Sequence, residues 1–281
     1  MQIPPPPASS RALPHVRTIT LTQPLHWLLL AWHDMRRCGW ISWAHGLALA
    51  LGGALILAVA RERFWLLAGA FSGFLVVAPV LATSLYALSR ALERGEPADA
   101  ALVLKTWLNW QHGHFNKWGN DYWCLVQFGV LLALAATGWV LTSAALITLL
   151  TPVPITTPLE FVQHVVLAKN GFLFELWLTL GGILAAPIFA SSAITIPLLL
   201  DRRVTLAQAV LTSWQVVLTN PLPMALWAAC IMGLTLLGLA VALLGLMLVI
   251  PLLGHASWHA YRDLVDVSDL PERDVPEQGR R

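Results

Sequence analysis

The sequence predicts an all-α, polytopic membrane helical bundle, with six transmembrane helices and three interfacial amphipathic helices in a weak threefold internal repeat. Of the 281 residues, 57% are hydrophobic and only 11% are charged, a balance that does not suit a surface facing water. The charges cluster between apolar runs that reach membrane-spanning length, since about 20 helical residues cross a hydrocarbon core of about 30 Å. In three of those runs a glycine precedes a proline by six residues, which gives the candidate helix kinks Gly73, Pro79, Gly181, Pro187, Gly245 and Pro251.

The first third of the chain contains one predicted tail, one amphipathic helix and two spans. Residues 1–20 begin with a proline run and lack the apolar core of a signal peptide, so we expect a disordered cytoplasmic tail. Residues 22–38 mix tryptophans and leucines with charged residues, which is typical of a helix at the membrane surface. Residues 41–60 form the first predicted span and residues 64–92 the second.

The middle of the chain repeats this order. Residues 98–118 carry three tryptophans among charged residues and histidines, as expected at the headgroup level. Residues 122–150 are the third predicted span, residues 151–170 a proline-broken loop, and residues 171–200 the fourth span. Beyond it, Gln208, Thr212, Gln215 and Thr219 fall on one helix face, which predicts the third amphipathic helix.

The apolar run over residues 221–265 is too long for one crossing, because 45 helical residues extend about 67 Å. Either one span continues into a helix outside the membrane, or a hairpin near Gly233–Gly238 gives spans at 221–236 and 238–264. Six spans leave only Arg61, Arg63 and Lys169 outside, whereas five spans also move the four arginines after residue 261 outside. The positive-inside rule favours six spans, with both termini cytoplasmic. Residues 21–266 are then one transmembrane domain, and residues 267–281 a second disordered cytoplasmic tail.

Six spans also indicate the internal repeat. A shift of 108 residues aligns Gly73 with Gly181 and Pro79 with Pro187, and it aligns Glu93–Arg94 with Asp201–Arg202. Each repeat would be an interfacial helix followed by a hairpin whose second helix carries the glycine and proline. Three such units in one orientation predict parallel repeats about an axis along the membrane normal.

Hydroxyl groups or a histidine follow each proline by one helical turn. If the kinked helices meet, these side chains form a polar layer, either around a solute path or as part of close packing through small residues. We favour the packing interpretation. The candidate polar layer comprises Thr83, Ser84, Ser191, Ser192 and His255.

Two histidines near the end of the last run, His255 and His259, share one helix face. This spacing can serve a metal, with His26, His33 or His45 as a third ligand, but it lacks the glutamate of an HExxH motif. Hydrogen-bonded histidines at a helix end are the favoured interpretation, and we predict no metal and no cofactor. The three cysteines lack CxxC spacing, so they indicate neither a disulfide framework nor a thiolate zinc site.

Charged residues from several segments are expected at the cytoplasmic face. They are either ion pairs between amphipathic helices and span ends, or solvated anchors that interact with anionic lipid. The candidate interfacial cluster comprises His33, Asp34, Asp201, Arg202, His259, Arg262 and Asp263.

The sequence limits the classes of function more than it selects among them. A net charge of +2 gives no indication of a nucleic-acid partner, and ionisable groups deep in the spans are almost absent. No GxSxG, P-loop or HExxH motif occurs. We therefore expect a non-enzymatic protein in the lipid bilayer that acts as an accessory, assembly or scaffold partner of a membrane complex, through a membrane-protein partner or a homo-oligomer. The alternative is a translocator of a small molecule or lipid through a cavity among the three kinked helices.

Three strings carry a resemblance to a known family. They are AWHDMRRCGWISWAHGLAL at 31–49, GFLVVAPVLATSLYALSRALERGE at 73–96 and PLLGHASWHAYRDLV at 251–265. Over about residues 16–266 the chain resembles bacterial integral membrane proteins classed as a domain of unknown function. The resemblance implies a multi-pass protein of the bacterial inner membrane. Some relatives carry a cytochrome c oxidase subunit I label, which adds a respiratory oxidase-associated subunit as a third hypothesis.

Overall fold

The computed structural model describes residues 13–60, 82–112, 123–168, 172–241 and 243–273. Within these ranges the protein is helical, and its only β contacts are two isolated bridges, Val16 with Val265 and Arg202 with Glu272. The helices are α1 (Gln23–Cys38), α2 (Trp40–Ala60), α3 (82–94), α4 (Ala100–His112), α5 (Trp123–Leu150), α6 (Pro158–Phe161), a π-helix (Val162–Val166), α7 (Leu173–Ser192), α8 (Thr195–Asp201), α9 (Leu206–Thr219), α10 (Pro221–Ala240) and α11 (Leu246–Leu264). The predicted all-α class is confirmed.

A single glycine separates α1 from α2. Gly39 has φ 59°, a left-handed conformation that favours glycine, and its N–H donates to the carbonyl of Met35. Both helices pack against α11 in antiparallel order, because successive residues of α1 and α2 contact earlier and earlier residues of α11. The pairs are Trp27 with Asp263, Asp34 with His259 and Ser42 with His255.

The last two helices form a hairpin that reverses later than predicted, between Ala240 and Leu246. We expected it near Gly233–Gly238, but α10 continues to Ala240 and the chain reverses where Leu243 adopts φ 68°. Two glycines allow the helix ends to touch, since a Cβ at Gly245 would lie 2.6 Å from the Cα of Gly238. The long apolar run is therefore two helices.

A second close approach joins α2 to α11. A Cβ atom at Gly46 would overlap the backbone carbonyl group of Met247, and a Cβ atom at Gly254 would lie 2.5 Å from Leu85 of α3. Gly46 lets α2 pack backbone to backbone against α11, and Gly254 lets the Leu85 side chain of α3 pack against the α11 backbone. Small residues are the usual means of close helix packing in a membrane.

The fourth predicted span is interrupted beyond Pro187, the proline at which we predicted a kink. Helix α7 continues through Pro187, and the break falls at Ala193–Ile194. Pro197 accounts for this position, because a proline clashes with the carbonyl four residues earlier and has no N–H to donate to it. At this break the N–H of Ile194 donates to Ser213 Oγ of α9 at 3.3 Å instead of to a carbonyl of its own helix.

Helices α5 and α7 form a second hairpin. Trp177 Nε1 of α7 donates to Ser143 Oγ of α5 at 2.6 Å, and the Trp139 ring lies where a Cβ at Gly181 would touch it at 3.1 Å. In the connecting loop, Glu160 accepts the backbone N–H groups of Thr156 and Thr157, which lowers the pKa of its carboxyl group.

Residues 13–20 and 267–273, which we expected in disordered tails, lie in non-helical segments hydrogen-bonded to the rest of the protein. Arg17 N donates to Leu264 O, and Asp266 N donates to His15 O. Asn220 Oδ1 accepts from Ile19 N at 2.9 Å. Composition predicts disorder here because the segments are polar. In the folded protein, however, their backbone groups form hydrogen bonds with groups at helix ends instead of with water.

Among the described residues, four helices are long and apolar enough to cross a membrane: Trp40–Val59, Trp123–Leu150, Leu173–Asp201 and Pro221–Ala240. They correspond to the first, third, fourth and fifth predicted spans. Only residues 82–92 of the second are described, and Gly73 and Pro79 lie outside the described residues. Helix α11, in the sixth, carries polar residues in its last half and is not among these four. The six-span count and the threefold repeat stay predictions.

Candidate functional site

A chain of hydrogen bonds joins four helices near one end of the bundle. Asp34 Oδ2 of α1 accepts from Ser89 Oγ of α3 at 2.7 Å and lies 2.9 Å from His259 Nε2 of α11. Ser89 Oγ also lies 2.7 Å from Nδ1 of His255, whose Nε2 is 2.9 Å from Ser42 Oγ of α2. We call these five residues the polar chain.

The chemistry of the donors fixes the direction of each bond. An ionised Asp34 only accepts hydrogen bonds, so the single hydroxyl hydrogen of Ser89 is donated to that carboxylate. His255 Nδ1 must then donate to Ser89 Oγ, which makes its Nε2 an acceptor for the Ser42 hydroxyl. All the bonds point toward Asp34, and His255 is held as the neutral Nδ1–H tautomer.

The polar chain is buried except at one end. Ser42, Ser89 and His255 are almost completely buried, Asp34 is 6% exposed, and the His259 side chain keeps 20% of its surface exposed. Burial raises the pKa of Asp34, but the hydrogen bonds from His259 and Ser89 outweigh it and leave the pKa below its ordinary value. The carboxylate is therefore charged at neutral pH.

The order of groups differs from a nucleophilic triad. In a Ser-His-Asp triad the imidazole lies between the hydroxyl and the carboxylate, whereas here Ser89 lies between His255 and Asp34. Ser42, the hydroxyl on the other side of the imidazole, is fully buried. The arrangement suits holding four helices in register, because each donor in it already has an acceptor.

A further buried histidine, His45, lies one turn along α2 from Ser42. His45 Nδ1 lies 2.7 Å from Ile41 O, and its Nε2 lies 2.7 Å from Ser84 Oγ of α3. A carbonyl only accepts, so Nδ1 carries the proton and Ser84 donates to Nε2. Trp107 of α4 packs edge-on against His45, with ring centroids 6.1 Å apart.

Asp201, the last residue of α8, is the centre of a charged cluster at the same end of the bundle. Its carboxylate accepts from Arg202 Nε at 3.0 Å and from Tyr261 OH at 2.8 Å, and Arg94 and Arg90 lie 3.5 and 3.8 Å away. Glu272 binds both Arg94 and Arg202. The cluster ties α3, α8 and α11 to the last described segment of the chain.

Two other carboxylates make separate contacts. Glu93 of α3 accepts from Trp258 Nε1 at 3.0 Å and from Arg262 Nε at 2.9 Å. Asp263 accepts from Gln23 Nε2 at 2.6 Å and from Trp27 Nε1 at 2.7 Å. In both cases an indole N–H of the buried core finds its acceptor at a helix end.

The predicted polar layer is divided between two places. Ser84 and His255 belong to the α2–α3–α11 region, and Thr83 is buried beside Ser84. Ser191 instead accepts from Trp214 Nε1 of α9 at 2.9 Å, and Ser192 donates to a carbonyl of its own helix. Helix α2, which sequence reasoning left out, takes the place of α7.

The predicted interfacial cluster is likewise several sites. Asp34 and His259 belong to the polar chain, Asp201 and Arg202 to the charged cluster, and Arg262 and Asp263 to the two contacts just described. His33 is exposed. Sequence spacing places these residues at one end of the bundle but does not assign partners.

The histidines His255 and His259 bind different partners rather than a common point. Among the described residues no three histidine, cysteine or acidic side chains converge in a way that could hold a metal ion. His45 is engaged with Ile41 and Ser84, so it does not complete a ligand set with them.

Sequence reasoning missed Ser42, Ser89 and the two bonds of His45. The available signal was polar residues inside otherwise apolar spans, which usually face the bundle interior. A cavity of about 220 Å³ borders His45, Leu85, Ile231 and Gly254. It lies among α2, α3, α10 and α11; α3 and α11 belong to two of the three predicted proline-containing spans, and α7, which contains the third proline, does not line it.

The apolar helices and the buried, internally paired polar site define a helical integral membrane protein. Residues 66–201 match the model of the family described as "predicted integral membrane protein (DUF2189)", whose function is unknown. Of the three strings that carried the resemblance, the one at 73–96 lies within this match. No curated protein and no solved structure matches the chain.

Proposed function

We propose that this protein is a non-enzymatic accessory or scaffold subunit of a larger membrane assembly, and that α5 is the helix that contacts the partner. The polar chain supports the non-enzymatic part of the proposal, because its hydroxyls and imidazoles are paired with one another and buried. Its role is to hold α1, α2, α3 and α11 together as a rigid frame.

The observation that carries the docking proposal is the isolation of α5. Only 6% of its most apolar stretch is buried within the chain, against 33%, 44% and 22% for the other three candidate spans. A span with so few neighbours gains little from helix packing in its own chain. A partner helix would supply the missing contacts.

The exposed face of α5 also permits close approach. Leu134, Leu141 and Leu149 are 63%, 65% and 81% exposed, and the small residues Gly138 and Ala145 lie between them on the exposed side of the helix. Nothing lies within 4 Å of a Cβ placed at Gly138. Small residues between leucines allow a second helix to pack backbone to backbone.

Photo-crosslinking in native membranes tests this proposal. A photoreactive phenylalanine at Leu134 or Leu141 should crosslink to a single partner protein. The crosslinked product should have one constant mass and contain the partner and this chain in a fixed ratio. The same group at Leu51 or Leu55 of α2, which are about equally exposed, is the matched control and should react with lipid. Equal, lipid-only labelling at all four positions would refute a docking role for α5.

We further propose six spans, with both termini and the charged end in the cytoplasm of a bacterial inner membrane. The antiparallel packing of α11 against α10 and α2 supports a sixth span. Single cysteines at Lys169, Arg203 and Asp263 test the topology with a membrane-impermeant thiol reagent. Only the cysteine at 169 should react from outside, and labelling at 263 from outside would contradict six spans.

A further inference from the structure

An apolar groove runs between α2 and α4 at the side of the bundle. Its volume is about 270 Å³. Alanines one turn apart on α2 leave a trough that larger side chains would fill, and α4 forms the opposite wall. The groove is lined by Trp40, Ile41, Ala44, Ala48, Val103 and Trp107.

The groove begins where the span Trp40–Val59 enters the membrane. Trp40, at this end of α2, is 70% exposed, and tryptophan prefers the boundary between headgroups and hydrocarbon. A groove at this depth meets lipid rather than water. Its apolar walls therefore suit an acyl chain.

Three cations are close in sequence to residues that line the groove. Arg37 and Arg36 lie three and four residues before Trp40, and Lys105 follows Leu104, which also lines the groove. All three side chains are exposed, and within the described part of the chain none of them forms an ion pair. The nearby Asp99 is engaged at the start of α4, where its carboxylate accepts the N–H of Leu102.

We propose that this groove binds an anionic phospholipid. One acyl chain occupies the trough between α2 and α4, and the phosphate lies among the guanidinium groups of Arg36 and Arg37 and the ammonium group of Lys105. Basic residues near a membrane surface attract anionic headgroups, and a guanidinium matches the phosphate oxygens with paired hydrogen bonds. The site is independent of α5 and of any protein partner.

Native mass spectrometry of the delipidated protein, with phosphatidylglycerol or phosphatidylcholine added back, tests the proposal. The protein should retain phosphatidylglycerol in preference to phosphatidylcholine. The double variant R36Q/R37Q should weaken phosphatidylglycerol retention about thirtyfold, from the usual contribution of two surface cations. R17Q, which removes an exposed arginine paired with Asp266, is the control and should retain it normally.

A groove-filling variant separates this site from general attraction to charge. Ala44→Leu should abolish preferential retention, whereas Ala58→Leu, at an exposed position of α2 outside the groove, should preserve it. Equal retention of the two lipids by the wild-type protein would overturn the proposal. So would unchanged retention in Ala44→Leu, or crosslinking of a phosphatidylglycerol with a photoreactive acyl chain only to peptides outside α2 and α4.

Discussion

Replacing Asp34 by alanine removes the acceptor on which the polar chain converges. Ser89 and His259 both direct hydrogen bonds to the same carboxylate oxygen. In Asp34→Ala, the hydroxyl of buried Ser89 and the His259 N–H both lose their acceptor. Helix α1 loses its polar attachment to α3 and one of its attachments to α11.

The expected cost follows from burial and charge. Hydrogen bonds to a charged group contribute about 1.5 to 3 kcal/mol each, and the buried Asp34 carboxylate takes part in two of them. His259 remains 20% exposed, so water recovers part of its loss. We therefore expect Asp34→Ala to lower the free energy of unfolding by about 3 kcal/mol, which is roughly 6 to 12 °C in Tm for a chain of this size.

Tryptophan fluorescence during heating in detergent measures this effect, since the chain contains 14 tryptophans. Asp34→Asn keeps an acceptor oxygen without the charge and should lose about half as much. Asp269→Ala, at an exposed position, is the control and should stay within about 0.5 kcal/mol of wild type. If Asp34→Ala melts with this control, the polar chain does not hold the helices together.

Three further predictions concern glycine packing, acid stability and the charged cluster. Gly46→Ala should destabilise the protein by about 1 to 3 kcal/mol, because the added Cβ meets the Met247 carbonyl. Gly52→Ala, with open space around it, is the control and should be neutral or stabilising. Thermal unfolding distinguishes the two variants. The folded-state pKa of Asp34 is lowered, so the Asp34 carboxylate stabilises the fold fully above its unfolded pKa of about 3.9, and this stabilisation is lost as pH falls through the folded pKa. The difference in Tm between wild type and Asp34→Asn should therefore shrink below about pH 4. A difference in Tm that stays constant with pH would contradict this sign. Asp201→Ala should destabilise by about 3 kcal/mol, because Tyr261 loses its acceptor and two of the nearby arginines lose one carboxylate partner but keep Glu272. Asp201→Asn should lose less, and equal Tm values for both variants and wild type would count against the cluster.

Sequence reasoning located the helices where apolar length determines them. The spans at 41–60, 122–150 and 171–200 fall within one to three residues of the observed helices, because lipid and helix geometry leave little choice. The turn between Ala240 and Leu246 escaped prediction because no Pro or polar residue marks it. Its position depends on contact between Gly238 and Gly245, which a local pattern does not contain.

Side-chain pairing was the less predictable part. Asp34 and His259 were both candidates, yet 225 positions separate them, and their contact exists only after α1 packs on α11. The break at Ala193 shows the same limit locally. Pro187 and Pro197 carry the same steric signal, but only Pro197 ends a helix segment in this fold.

The most direct test of the central claim is native mass spectrometry of the protein extracted with its own lipids from native membranes. We predict a complex of fixed stoichiometry with a membrane-protein partner or with further copies of this chain. Gly138→Trp, which fills the open face of α5 without touching the polar chain, should dissociate that complex while leaving Tm unchanged. A wild-type protein recovered only as a lipid-bound monomer would contradict the proposed role.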